Sequence, residues 1–104
     1  IRDRYKADYE EAMSRIMDVR KRYVDKLTKI PALRVFPSQA NYIMCHLDNG
    51  MSSRKLADIM LNNYNILIKD LSTKEGLNGG NYIRLSVKTD EENDVVVRVL
   101  SELL

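Results

Sequence analysis

Apolar and aromatic residues at Tyr5, Tyr9, Ala12, Met13, Ile16, Met17, Tyr23, Val24, Leu27 and Ile30 recur mostly at three- and four-residue steps, with Lys, Arg, Asp and Glu between them. That spacing predicts one long amphipathic helix from about Arg2 to Lys29. Pro31 ends it, because the residue before a proline resists helical geometry and the ring removes a donor. At 1.5 Å per residue such a helix is on the order of 40 Å long, more than a compact domain of this size is wide. A chain of 104 residues makes one domain at most. Part of the helix must therefore project or lean on other protein. The chain also starts at Ile1, not Met, directly inside this pattern, as a fragment of a longer polypeptide would.

Beyond Pro31 the pattern shortens. Leu33 to Pro37 fits a short edge strand and Asn41 to Leu47 a better one, with Pro37-Ser38-Gln39 as the turn between them. Alternation puts Tyr42, Met44 and His46 on one face and Ile43, Cys45 and Leu47 on the other. Asp48-Asn49-Gly50 is a turn. Ser52 or Ser53 caps a helix with a buried stripe of Leu56, Ile59, Met60 and Tyr64, ending near Asn62-Asn63. Ile66-Leu67-Ile68 reads as a strand finishing near Lys69-Asp70. Ser72 to Asn81 holds three of the four glycines and reads as a mobile loop. Asn81 to Val87 alternates as a strand. Thr89 to Glu92 then has the spacing of a capping box ahead of a helix with Val95, Val96, Val99, Leu100, Leu103 and Leu104 on its apolar side. Helix, strand, strand, helix, strand, strand, helix predicts an α+β fold: a small, mostly antiparallel sheet of about four strands with helices packed on one face.

The formal net charge is only +2 and the charges are dispersed, which argues against nucleic acid. A single cysteine, Cys45, allows no intrachain disulfide and no cysteine-based metal site, in keeping with a reducing cytoplasm. No run of 18 or more apolar residues, signal peptide or lipidation motif is present, so nothing points to a membrane.

Within Asn81–Val87, Ile83, Leu85 and Val87 fall on one face and Tyr82, Arg84 and Ser86 on the other. A guanidinium on rigid sheet backbone suits two-pronged capture of a carboxylate or phosphate, although the segment by itself reads first as a solvated sheet arginine. If the neighbouring strand is the one ending at Lys69, the two cations could face one anionic ligand. Otherwise Lys69 simply finishes an edge strand. His46 has no second histidine and reads as structural. Cys45, on the apolar phase, reads as a small hydrophobe with no base to activate it. The Glu75–Gly80 stretch lacks the Lys-Ser/Thr of a phosphate-binding loop. The acidic run Asp90–Asp94 reads as a helix start, not a metal site.

Three segments in order, Val35-Phe36-Pro37-Ser38-Gln39-Ala40-Asn41-Tyr42-Ile43, Ile66-Leu67-Ile68-Lys69-Asp70 and Tyr82-Ile83-Arg84-Leu85-Ser86-Val87, with Glu91-Glu92-Asn93 following, resemble the C-terminal small domain of class I/II aminotransferases. The nearest branch is that of histidinol-phosphate aminotransferases and threonine-phosphate decarboxylases. The resemblance covers nearly the whole of residues 1–104 and implies that Arg84 anchors a substrate α-carboxylate. It further implies that Lys69 stands where many relatives carry an arginine toward the substrate's distal, often phosphorylated end, and that Asn41 lies near the active site. Lysine there keeps the charge but loses the planar fork. Pyridoxal 5'-phosphate would be bound by a larger domain of the same chain, whose lysine, aspartate and phosphate cup have no counterpart in these residues. The fragment would then be inactive alone, and the full-length protein a cytoplasmic homodimer acting on an amino acid or amino phosphate. A second reading is a free-standing, ferredoxin-like regulatory module that binds a small anion or amino acid. A third, RNA binding on the sheet, has only Tyr42 and Tyr82 for stacking.

Overall fold

The computed structural model describes residues 2–36, 41–73 and 80–104, and the side chains among these from Tyr9 onward. Within them run α1 (Arg2–Leu27), β1 (Leu33–Phe36), β2 (Tyr42–Leu47), α2 (Ser53–Tyr64), β3 (Lys69–Asp70), β4 (Tyr82–Ser86) and α3 (Asp90–Leu103). The predicted α+β architecture is present, and the four strands are wholly antiparallel, in the order β1-β2-β4-β3. Because β4 pairs antiparallel with both β2 and β3, those two run parallel to each other with β4 inserted between them, a split β-α-β arrangement.

Period-two alternation gives the sheet two unlike faces. Leu33, Ile43, Cys45, Leu47, Ile83 and Leu85 are buried and meet Tyr23, Leu27 and Ile30 of α1 and its exit turn, Leu56 and Met60 of α2, and Val99 and Leu100 of α3. Arg34, Phe36, Tyr42, Met44, His46, Lys69, Tyr82 and Arg84 share the other face, as the register requires. No helix covers that face among the described residues. The 26 residues of α1 extend about 39 Å, and the molecule measures 52 × 29 × 24 Å. Its first half is the part that projects: Tyr9, Ile16 and Met17 are 61%, 42% and 62% exposed. The second half docks through Tyr23 and Leu27, with Arg22 and Lys26 paired to Asp90 and Asp94 of α3 at 3.0 and 2.5 Å. These ion pairs are solvent-exposed and contribute little beside the apolar contact.

Ser52, not Ser53, caps α2, its hydroxyl accepting from Lys55 N–H at 3.3 Å. The helix runs past Asn62-Asn63 to Tyr64 and closes on Asn65, whose left-handed backbone (φ 57°) lets the N–H groups of Asn65 and Ile66 reach the carbonyls of Leu61 and Met60. That closure corrects the predicted strand at Ile66–Ile68: these residues finish the helix and cross to the sheet, Leu67 stands 74% exposed, and only Lys69–Asp70 pairs. Tyr64, expected in the buried stripe of α2, is 40% exposed at the helix end, and Ile59 is half-buried. At α3, Thr89 accepts from Glu92 N–H as predicted, but Glu92 takes the Thr89 hydroxyl instead of the backbone. Asn93, hidden in the acidic run, is 3% exposed and bonds both the N–H and the carbonyl of Lys88. Val95, placed on the apolar side from sequence, is 40% exposed. The predicted turn at Pro37–Gln39 and most of the glycine-bearing loop lie outside the described residues.

Candidate functional site

Arg84 lies at the middle of β4 with its side chain on the open face and half-buried. Directly across one ladder is Lys69, its Cα partner on β3, and across the other is Met44 on β2. Tyr42, diagonal to Arg84 on β2, places its ring under the guanidinium with the central carbon 5.0 Å from the ring centroid. Like charges opposed across an antiparallel pair repel. Neither Lys69 nor Arg84 forms an ion pair among the described residues. A shallow cleft of about 360 Å³ opens beside them, lined by Leu67, Ile68, Lys69, Asp70, Arg84 and Ser86. Two cations on rigid backbone, neither of them ion-paired among the described residues, have the chemistry that suits two-point contact with an anion.

Asp70, next to Lys69, also lines this cleft but forms an ion pair with neither cation among the described residues. It turns to the covered side, where Ser53 Oγ donates to its carboxylate at 2.6 Å and Ser72 donates from both N (2.9 Å) and Oγ (2.8 Å). Burial opposes ionisation of this carboxylate, yet the three donors hold it below the ordinary aspartate range. The clamp ties two-residue β3 to the start of α2, where Asn81 Oδ1 also receives Ser53 N–H at 3.3 Å. Sequence reasoning misses this clamp, although the Asp-x-Ser spacing is the signature of a carboxylate folding back on its own backbone.

Asn41 stands exposed just before β2, its carbonyl accepting from Val87 N–H at 3.0 Å. Lys69 and Arg84 thus belong to neighbouring, paired strands, while Asn41 lies one residue before β2 and meets the chain just past the end of β4. At the opposite end of the face, Asp48 binds Arg34 through two bonds of 3.0 and 3.2 Å and His46 Nδ1 at 2.5 Å, while the His46 and Tyr82 rings meet edge-on at 4.7 Å. The Arg34 guanidinium and His46 together hold Asp48 below the usual carboxylate range. His46 is therefore tied into a surface network, and Asp48, read in sequence only as a turn residue, is its partner. Cys45 is fully buried, and burial pushes its thiol up to about 12, which leaves it inert as a nucleophile. Among the described residues no three His, Cys, Asp or Glu side chains gather as metal ligands would, and no helix is long and apolar enough to cross a membrane.

The family model described as "Aminotransferase class I and II" matches residues 2–100. The chain belongs to that family. Compared with curated members, this aminotransferase class I and II chain is 28% identical over 96 residues to a histidinol-phosphate aminotransferase of Methanococcus maripaludis, covering 92% of this chain and 25% of the relative. Among solved structures, a decarboxylase from Sulfurospirillum multivorans superposes with a TM-score of 0.89 at 29% identity, over 96% of this chain and 28% of that one. An L-threonine-O-3-phosphate decarboxylase from Porphyromonas gingivalis does so with a TM-score of 0.70 at 26% identity, over 83% and 27%. The chain spans about a quarter of the length of these relatives.

Proposed function

We propose that residues 1–104 are the substrate-binding small domain of a longer pyridoxal 5'-phosphate-dependent aminotransferase acting on an amino acid or amino phosphate. Arg84 takes the substrate's α-carboxylate, Lys69 meets its other acidic end, and Asn41, bonded to Val87 just past the end of β4, borders the bound substrate. The observation that carries this reading is the pair of cations on the open sheet face, opposed across one ladder and neither of them ion-paired among the described residues. Membership of the family and the phosphorylated substrates in the names of two relatives support it.

The described residues do not themselves fit the cofactor. A carbonyl cofactor with a phosphate needs an enclosed lysine and a cup of donors. Lys69 is exposed and faces Arg84, and the nearby Asp70 is committed to Ser53 and Ser72. In this reading the cofactor is held by the larger part of the parent chain, which the exposed half of α1 would meet, and the whole acts as a homodimer in the cytoplasm. The contribution of these residues is orientation: fixing the acid group at Arg84 sets which bond at the substrate's α-carbon lies in position to break. Decarboxylation is the second reading, favoured by the fit to the Sulfurospirillum multivorans decarboxylase. Carbon dioxide release with the amine retained distinguishes it from amino transfer.

In the full-length protein Arg84→Ala should raise KM and lower turnover, together costing kcat/KM about 100-fold or more, as loss of a two-pronged charged contact does. Unchanged kinetics would remove Arg84 from the site. Residues 1–104 alone should give no heat on titration with L-glutamate or O-phospho-L-serine, whereas a regulatory module would bind one of them.

A further inference from the structure

We propose that Tyr42 is a positioning residue for Arg84: its ring holds the guanidinium flat against the open sheet face, so that the N–H edge points to the anion cleft. The inference rests on the reading of Arg84 as the acid-group anchor and adds what keeps that anchor in place.

An arginine side chain has several rotatable bonds and loses affinity when it must be ordered at the moment of binding. Here the usual restraint, a carboxylate partner, is absent among the described residues, and the residue opposite, Lys69, carries the same charge. Both facts would drive the guanidinium off the sheet. The Tyr42 ring is the group that opposes them. Its face presents the negative lobe of the quadrupole to the cation at 5.0 Å. A ring held flat under the guanidinium would leave the in-plane N–H groups unspent, whereas a carboxylate partner would occupy the very donors a substrate needs. Backbone geometry fixes the pair: Tyr42 lies two residues along β2 from Met44, the partner of Arg84, which is the diagonal separation a long side chain bridges. The tyrosine hydroxyl has no part in this account.

The test is calorimetric titration of the full-length protein with O-phospho-L-serine and L-glutamate, for wild type, Tyr42→Phe, Tyr42→Leu, Arg84→Ala and the Tyr42→Leu/Arg84→Ala double variant. Tyr42→Phe should bind within about twofold of wild type and Tyr42→Leu about 5- to 30-fold more weakly, the span expected of a cation held over a ring. The double variant should bind no more weakly than Arg84→Ala. Replacing position 42 by phenylalanine with one, two and three ring fluorines keeps the shape and drains the ring face, so affinity should fall stepwise. That series decides the matter even where Tyr42→Leu fails to fold. Undiminished binding by Tyr42→Leu, additive losses in the double variant, or a flat fluorine series would overturn the role of Tyr42 while leaving Arg84 as anchor. A wild-type protein that binds neither probe, or an Arg84→Ala variant that binds as wild type, would end both.

Discussion

Tyr23 is 1% exposed, and its hydroxyl has no hydrogen-bond partner, alone in this among the buried side-chain polar atoms described. Burial pushes its ionisation far above the ordinary tyrosine range, so the hydroxyl stays neutral and merely loses its water. Tyr23→Phe should therefore stabilise the fold by about 1 kcal/mol in urea unfolding followed by circular dichroism. A loss of stability would mean that the hydroxyl has a partner after all. At this scale the sequence is legible wherever period-two alternation decides the outcome: Arg84 on the open face, Cys45 and Ile83 in the core. The same rule does not reach the link from His46 to Asp48, because Asp48 lies in the turn beyond β2 and not on the strand. It does not reach the stacking of Tyr42 under Arg84, because that contact depends on the register between β2 and β4, which local pattern leaves open.

Among the elements, β3 is the shortest and the one the sequence renders least well. Three apolar residues before Lys69 look like strand, but the left-handed closure at Asn65 uses them to leave the helix, and pairing is confined to two residues. What holds so short a strand is the Asp70 clamp to Ser53 and Ser72. Because the folded protein depresses the ionisation of Asp70 below its unfolded value near 3.9, the clamp contributes fully above that pH and is lost as pH falls through the lower, folded value. Asp70→Asn should cost about 2 kcal/mol at neutral pH. The gap from wild type should begin to narrow as pH falls below about 4 and should close only under the lower, folded value, where both side chains are neutral. Parallel pH curves for the two proteins would show that the carboxylate charge is not what anchors β3. The helices are legible in greater detail, since spacing, caps and the Pro31 stop act locally. Exceptions remain at Tyr64 and Val95, exposed where spacing puts them inside, and at Asn93, a buried polar residue whose bonds to Lys88 no periodicity announces.

For the whole molecule, the prediction of an over-long helix carries the most weight, because it implies a surface that the 104 residues do not cover themselves. In amide hydrogen exchange of this chain, β4 should be slowest and the stretch from Tyr9 to Met17 fastest, following the contrast between a strand bonded on both edges and a helix half whose apolar side chains stand in water. Equal protection along α1 would show that the projecting half is supported from within. The position of β4 between β2 and β3 has a mechanical corollary. Arg84 is carried by an interior strand, bonded on both edges, so it cannot swing inward on a flap of its own. If Arg84 holds an acid group as proposed, any closing movement over it has to tilt the strands and the helices packed on them as a single plate, and the joint for that tilt must be sought at the margin of the plate, outside the sheet.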